Sequence, residues 1–177
     1  MKVLELGCGF NKTPGATGVD VIQGSHADII HDLDKFPYPF TDDEWDRILC
    51  RCVLEHVNDF VGTVNEIWRI ARPGAMVEVV GPFMSSVNYY ADPTHKRAFT
   101  SKTFDYFIEG RLASNFGYSK ARFDLVACEY DREERLKRTG VHRWLLDWAN
   151  RNKQQYEARF AFIYPLYQMF FDLKVIK

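Results

Sequence analysis

The sequence predicts an α/β fold built on a mostly parallel sheet, and three observations support this. Short apolar runs in residues 1–82 alternate with turns or helical patterns, which is typical of a parallel sheet covered on both faces. The chain has 177 residues, the usual size of one domain. Its composition of 46% hydrophobic and 27% charged residues is that of a globular protein. We therefore expect a single domain over residues 1–177.

Five apolar runs in the first half are predicted strands. They cover residues 3–6, 17–22, 27–31, 47–53 and 75–80. Between the last two, apolar residues recur at a helical spacing, which predicts a helix over 60–70. Asp59 or Asn58 is expected to cap the start of this helix, and Arg72-Pro73-Gly74 to end it.

Residues 83–177 have a different character, since 20 of the 27 aromatic residues lie after residue 80. The predicted elements are a short helix over 102–108, a strand over 122–130, a helix over 141–158 and a strand over 170–176. The long helix is amphipathic, and we expect its Trp144 and Trp148 face to pack on the protein, on a second subunit or over the acceptor pocket. It belongs to an insertion, residues 132–168, that a minimal sheet would not need.

Charge and cysteine content exclude several classes of protein. Lys and Arg number 23 and Asp and Glu 24, so no chain-wide basic field exists and no nucleic-acid partner is expected. The run 160–171 is too short to span a membrane, and no signal peptide is expected before the first strand. The four cysteines lack CxxC spacing, so no metal site is predicted. We expect a reducing, cytoplasmic location.

The loop after the first strand carries the main functional signal. Gly7 and Gly9 let the backbone turn sharply, and free amides of such a turn favour an anionic group. Asp20 closes the second strand, where an acid can accept hydrogen bonds from ribose hydroxyls. Asp32 ends the third strand and can accept from an adenine amino group, while Leu33 packs on the ring.

In these residues the sequence resembles the class I S-adenosylmethionine-dependent methyltransferases. The matching segments are Val3-Leu4-Glu5-Leu6-Gly7-Cys8-Gly9, Gly18-Val19-Asp20, His31-Asp32-Leu33, Trp45-Asp46-Arg47-Ile48-Leu49-Cys50, Val53-Leu54-Glu55-His56-Val57 and residues 66–74. The segment Asp92-Pro93-Thr94-His95 with Phe99-Thr100 is similar to one in many small-molecule members. The resemblance implies a Rossmann-like fold of seven strands in the order 3-2-1-4-5-7-6, with the last strand antiparallel.

The resemblance also implies S-adenosyl-L-methionine as cofactor and a set of residues that bind it. That set is Glu5, Gly7, Cys8, Gly9, Lys12, Asp20, Val21, Asp32, Leu33, Arg51 and Leu54. The glycines would lie against the methionine part, Asp20 at the ribose and Asp32 at the adenine. Residues 51–54 would pass beside the sulfonium.

One departure from the family pattern lies between Gly9 and Asp20, which are too close for the usual intervening helix. We expect that helix to be missing or reduced to a turn. The usual third glycine is also absent, and Lys12 is either a compensating contact to the cofactor carboxylate or a solvated surface lysine.

The implied activity is methyl transfer to an oxygen or nitrogen atom of a small molecule or sugar derivative. A base helps such a transfer, and His95 is the candidate, although a scaffold role is also open. His56 either faces the cofactor or supports its loop. Residues 132–159 carry eight Lys or Arg against four Asp or Glu. This excess suits either a solvated helix face or a lid for an anionic acceptor.

Other interpretations stay open. Tyr89 and Tyr90 either line the acceptor pocket or pack under their loop, and the aromatic C-terminal half could form a homodimer interface. A non-catalytic methyltransferase-like binding subunit is one alternative function. A nicotinamide-dependent oxidoreductase is less favoured, because the third glycine is absent and Asp20 comes too early.

Overall fold

A sheet of seven strands organises the computed structural model, which describes residues 1–177. The strands are β1 (Val3–Leu6), β2 (Thr17–Asp20), β3 (Ile29–Ile30), β4 (Trp45–Arg51), β5 (Ala71–Pro82), β6 (Arg122–Tyr130) and β7 (Gln168–Ile176). Their order is β3-β2-β1-β4-β5-β7-β6. Strands β1 to β5 pair in parallel, and β7 is antiparallel to both β5 and β6. The predicted order and the antiparallel last strand are confirmed.

Four α-helices accompany the sheet. They are α1 (Phe60–Ile70), α2 (Val87–Ala91), α3 (Gly140–Arg151) and α4 (Lys153–Arg159), with 3-10 turns at Leu112–Phe116 and Glu134–Leu136. The predicted helix over 60–70 is confirmed, and its Asp59 cap accepts a 2.8 Å hydrogen bond from the Gly62 amide. Residues 7–16 form turns without a helix, as the short spacing before Asp20 predicts.

The single helix predicted over 141–158 is wrong, because the chain leaves helical geometry at Asn152. The Asn152 side chain donates to the Trp148 carbonyl at 2.9 Å, and such side-chain bonds compete with helical pairing. The expected Trp144 and Trp148 face packs on this chain only in part. Leu146 and Ala149 are the buried residues of α3, whereas Trp144 is 60% exposed.

The short helix predicted over 102–108 is replaced by successive turns. The backbone of Phe123 in β6 pairs with this segment. Its amide donates to the Phe107 carbonyl, and its carbonyl accepts from the Glu109 amide. Phe104 and Phe107 are nevertheless buried, and Phe104 packs edge-on against Phe171 at a ring distance of 4.9 Å. Tertiary pairing and aromatic burial therefore replace the local helical pattern.

One hydrophobic cluster of 34 buried residues runs through both halves of the chain. It joins strand residues such as Ile48 and Val77 to Ile67 of α1 and to Phe171 of β7. None of the helices combines the length and the apolar character that crossing a membrane would require. The shared core fixes the sheet, and with it the loops that follow the carboxyl ends of the strands.

Candidate functional site

A cavity of about 540 Å³ lies beyond the carboxyl ends of β1, β2, β3 and β4. It is lined by Gly7, Asp20, Val21, Ile22, His31, Asp32, Leu33, Asp34, Cys52, Val53, His56, Val57 and Thr94. Open parallel sheets bind their ligands at this edge, and the volume suits a small molecule. Thr94 is the one lining residue that comes from residues 83–177.

The loop after β1 is held tightly against its neighbours. Gly7 has a φ of +69°, and a Cβ there would lie 2.4 Å from Cγ2 of Val53. The amides of Gly7 and Cys8 both donate to the Val19 carbonyl, and the Gly9 amide donates to the Asp20 carboxylate at 2.8 Å. The expectation of free amides in this turn is therefore wrong, because the adjacent strand β2 uses them.

Asp20 is 8% exposed and faces the cavity. Its two oxygens accept from the amides of Gly9 and Ile22, at 2.8 and 2.9 Å. These bonds fix the carboxylate in one orientation. Each oxygen keeps a second acceptor position, so the group can still bind vicinal hydroxyls of a ligand.

The turn after β3 places two further acidic residues, Asp32 and Asp34, in the lining of the cavity. Asp32 accepts from the Asp34 amide at 3.0 Å, and Leu33 lies between the cavity and the core. Asp34 accepts from both the backbone and the side-chain nitrogen of Asn58, each at 2.6 Å, and from the Asp59 amide. Burial alone would raise the pKa of Asp34, but these hydrogen bonds outweigh it and lower that pKa. The carboxylate therefore joins the β3 turn to the start of α1.

Strand β4 ends two residues earlier than predicted because Cys52 adopts a left-handed conformation, with a φ of 48°. The turn places Cys52 and Val53 in the cavity wall. Arg51 instead contacts the Thr13 hydroxyl at 3.4 Å, and the Leu54 side chain is buried in the core. The predicted segment 51–54 thus reaches the cavity through its two middle residues.

The structure brings part of the predicted cofactor set together. Gly7, Asp20, Val21, Asp32 and Leu33 line the cavity, as does His56. The others lie outside its lining: Glu5, Cys8, Gly9, Lys12, Arg51, Leu54 and also His95.

Two of these outlying residues have partners of their own. The Glu5 carboxylate accepts from the Thr13 amide at 2.6 Å. Lys12 forms an ion pair with Asp28 at 2.7 Å, so its predicted approach to the cofactor would require that pair to open. Sequence reasoning missed five lining residues, namely Ile22, His31, Asp34, Val57 and Thr94. Ile22 and His31 follow closely on the ends of β2 and β3, and that position is the signal that could have found them.

Glu55, His56 and His95 form a cluster beside the cavity, which we call the Glu–His cluster. Glu55 is 1% exposed, and neither carboxylate oxygen has a hydrogen-bond partner. Its Oε1 lies 3.9 Å from Nε2 of His95, and the rings of His56 and His95 are 4.7 Å apart. Burial raises the pKa of Glu55 to about 7. Burial and the neighbouring His95 lower the pKa of His56.

Hydrogen bonds fix which nitrogen of each neutral ring carries the proton. Nδ1 of His95 lies 3.0 Å from the Tyr89 carbonyl, which can only accept, so Nδ1 is protonated. The Thr94 hydroxyl donates to Asp92 at 2.6 Å and therefore accepts from Nδ1 of His56 at 2.9 Å. Both rings thus keep a free lone pair on Nε2.

Comparison with known proteins gives a family match over part of the chain and a fold. The sequence model of a family described as a methyltransferase domain matches residues 4–79. No curated protein gives a significant match.

Three solved structures similar to the chain illustrate the fold. One is an S-adenosylmethionine-dependent methyltransferase from Archaeoglobus fulgidus, with 18% identity, a TM-score of 0.63, and coverage of 98% of this chain and 85% of that one. An S-adenosylmethionine-dependent methyltransferase from Mesorhizobium loti has 15% identity, a TM-score of 0.55, and coverage of 98% and 90%. Phosphoethanolamine N-methyltransferase 2 of Haemonchus contortus, in complex with S-adenosyl-L-methionine, has 16% identity, a TM-score of 0.59, and coverage of 99% and 49%.

Proposed function

We propose that this chain is a class I S-adenosylmethionine-dependent methyltransferase that methylates an oxygen or nitrogen atom of a small-molecule or sugar-type acceptor. One observation carries the proposal. A single cavity is lined both by the strand-end residues Gly7, Asp20 and Leu33 and by His56 and Thr94. Cofactor and acceptor can therefore meet in one enclosed place.

The strand-end residues fit the cofactor in chemical type. Asp20 would accept from the ribose hydroxyls, because its carboxylate is pre-oriented by two backbone amides. Val21 and Leu33 offer apolar surface to the adenine, and Asp32 offers an acceptor to its amino group. Gly7 leaves the space that a Cβ would take beside Val53. When bound, S-adenosylmethionine supplies a methyl carbon already activated by the sulfonium.

The Glu–His cluster is proposed to assist loss of the acceptor's proton. His56 is its member on the cavity wall, and its Nε2 lone pair is free. The ring of His95 packs behind it at a centroid distance of 4.7 Å, tilted by 58°. Proton removal by a placed group speeds such transfers by roughly two to four orders of magnitude.

The acceptor itself is proposed to be neutral rather than anionic. Five of the eight cations in residues 132–159 form ion pairs within the chain, and no residue of the 132–168 insertion lines the cavity. The exposed side chains of Trp144, Phe162 and Ile163 support the proposal of a homodimer interface. The four cysteines are free, which supports a reducing, cytoplasmic location.

Calorimetry with S-adenosylhomocysteine tests the cofactor assignment. We expect the wild-type chain to bind it, and Asp20→Ala to weaken binding by about 1–3 kcal/mol, or roughly 5- to 150-fold. Asp28→Ala is the matched control, since Asp28 also accepts a strand amide (Gly18) but lies outside the cavity. Absence of binding to the wild type, or equal affinities in the two variants, would refute the assignment. Transfer of a labelled methyl group to a panel of neutral and phosphorylated hydroxy and amino compounds then identifies the acceptor.

A further inference from the structure

We propose that the Glu–His cluster is a binding site for one divalent cation of the first transition series, such as Mn²⁺ or Zn²⁺. Its ligands would be a carboxylate oxygen of Glu55 and Nε2 of His56 and of His95. The role of the ion in catalysis rests on the proposed function, but its binding does not. The cluster adjoins the cavity through His56 and Thr94.

The spacing of the three groups suits one ion. One candidate ligand atom from each residue, a carboxylate oxygen or either ring nitrogen, lies within 4.8 Å of the other two, and Nε2 of His95 is 3.9 Å from Oε1 of Glu55. Two ligands on opposite sides of a first-row ion are about 4.2 Å apart, and adjacent ligands about 3 Å. Side-chain shifts of about 1 Å therefore bring all three to a common centre. Two imidazoles and a carboxylate are a ligand set that first-row ions favour.

Both histidines are already oriented as metal ligands usually are. A ligating histidine donates its second ring N–H to a carbonyl, a carboxylate or water, which fixes the tautomer. Here Nδ1 of His95 donates to the Tyr89 carbonyl, and Nδ1 of His56 donates to Thr94, which is itself bonded to Asp92. Each Nε2 is thus left unprotonated and without a hydrogen-bond partner. The loop 89–95 supplies all of these supporting groups.

Glu55 is the second, independent observation. A buried carboxylate with no hydrogen-bond donor is costly, and a native fold normally pairs it. Two cations near Glu55 in the fold do not supply the partner. Arg97 donates instead to the carbonyls of Leu54, Val57 and Asn58, and Lys96 donates to the Asn58 side chain. A bound cation would satisfy both free oxygens of Glu55.

An ion at this position would act on the acceptor. It would bind the acceptor oxygen and lower the pKa of its hydroxyl, which then loses its proton to solvent water. The oxygen forms a bond to the methyl carbon while the bond from that carbon to sulfur breaks. The electron pair of the broken bond stays on sulfur, which gives a neutral thioether. With the ion bound, Nε2 of His56 would be a ligand and no longer free to take a proton, so His56 and His95 would serve by holding the ion.

Titration of the chelator-treated, full-length protein with MnCl₂ tests the site without an acceptor. Electron paramagnetic resonance measures free Mn²⁺, and this harder ion avoids competition from the Cys52 thiol. We expect one Mn²⁺ per chain. Glu55→Gln and His95→Asn should each weaken binding at least tenfold, because each removes a ligand. His142→Asn should bind as the wild type does, since His142 contacts Tyr164 in the insertion.

Binding of S-adenosylhomocysteine to each variant, measured in the presence of a chelator, distinguishes a misfolded variant from one that has only lost a metal-binding side chain. Retained affinity shows that a variant has folded, and if Glu55→Gln does not fold, His95→Asn decides the question. The absence of one bound Mn²⁺ or Zn²⁺ per wild-type chain would overturn the proposal. So would equal Mn²⁺ affinity in His95→Asn and His142→Asn. Normal S-adenosylhomocysteine binding without metal binding would leave the proposed function intact. Metal binding without S-adenosylhomocysteine binding would refute only the proposed function.

Discussion

The two halves of the chain contribute to the molecule in different ways. In residues 1–82, short parallel strands end in tight loops, and those loops supply every lining residue of the cavity except Thr94. In residues 83–177, β6 and β7 complete the sheet, and aromatic packing dominates, as where Phe83, Tyr130 and Tyr156 meet.

This difference teaches that the binding surface and the bulk of the aromatic core are separable. The first half fixes polar groups by backbone hydrogen bonds, as Asp20 shows with Gly9 and Ile22. The second half reaches the site mainly through the loop 89–95, which positions His56 and carries His95. Cofactor binding should therefore be sensitive to changes in the first half, and folding to changes in either.

The largest effect is expected from Gly7→Ala. The new Cβ would lie 2.4 Å from Cγ2 of Val53, and the φ of +69° is unfavourable for alanine. Backbone strain of about 1–2 kcal/mol and overpacking of about 1–3 kcal/mol should add to a clear loss of stability. Because Val53 lines the cavity, S-adenosylhomocysteine affinity should fall at least tenfold, as measured by calorimetry below the Tm.

Gly81→Ala is the matched change at the contact between the two halves, since its Cβ would meet Phe99 of the second half. Its Cβ would lie 2.1 Å from the Phe99 ring, but no positive φ adds strain. We expect a loss of about 1–3 kcal/mol from overpacking. Phe99 does not line the cavity, so affinity should stay unchanged. An equal loss of affinity in both variants would contradict the separation of the two regions.

A smaller effect is expected from Asp34→Ala, which removes three hydrogen bonds between the β3 turn and α1. After allowance for solvent screening, the loss at pH 7 should be about 1–2 kcal/mol in thermal or urea unfolding. The pKa of Asp34 is lowered on folding, so its contribution is present above the unfolded pKa. The difference between wild type and variant should therefore shrink as the pH falls through the folded pKa.

Asp32→Ala is the control for the lost hydrogen bonds, because Asp32 accepts a single amide, from Asp34. Its stability deficit at pH 7 should be smaller. A difference between wild type and Asp34→Ala that grows towards acid pH would show that the Asp34 carboxylate does not stabilise the folded chain in its charged form.

The smallest effect is expected in the insertion. Arg143→Gln and Arg151→Gln change charges outside the cavity, and Arg143 is already paired with Asp147. Because exposed charges act weakly over distance in salt, the acceptor KM should change by less than about twofold. Kinetics with neutral and phosphorylated acceptors check this. A selective rise of KM for phosphorylated acceptors would instead show that the insertion discriminates between acceptors by their charge.

Local sequence was sufficient for the strands and for part of the site. The apolar runs predicted the strands, and the glycine turn and strand-end acids predicted the cavity positions of Gly7, Asp20, Asp32 and Leu33, whereas the sheet order was implied by the family resemblance. The helix 60–70 followed from its own periodicity and its Asp59 cap. The strands, the helix and these cavity positions depend on residues a few positions apart, so the local sequence carries the information.

Other features depended on residues far apart in the chain, and only the tertiary structure decided them. Pairing with Phe123 replaced the helix expected over 102–108, and Asn152 interrupted the one expected over 141–158. The amides of the glycine turn proved to be engaged by Val19 and Asp20.

The Glu–His cluster is the clearest example of a feature that depends on residues far apart in the chain. The sequence by itself offered His56 and His95 as separate candidates and gave no reason to single out Glu55. The fold brings the loop after β4 against the loop 89–95, which buries Glu55 without a partner and leaves both Nε2 atoms free. Burial and the choice of hydrogen-bond partner are properties of three-dimensional packing, because they are set by residues that only the folded chain makes neighbours.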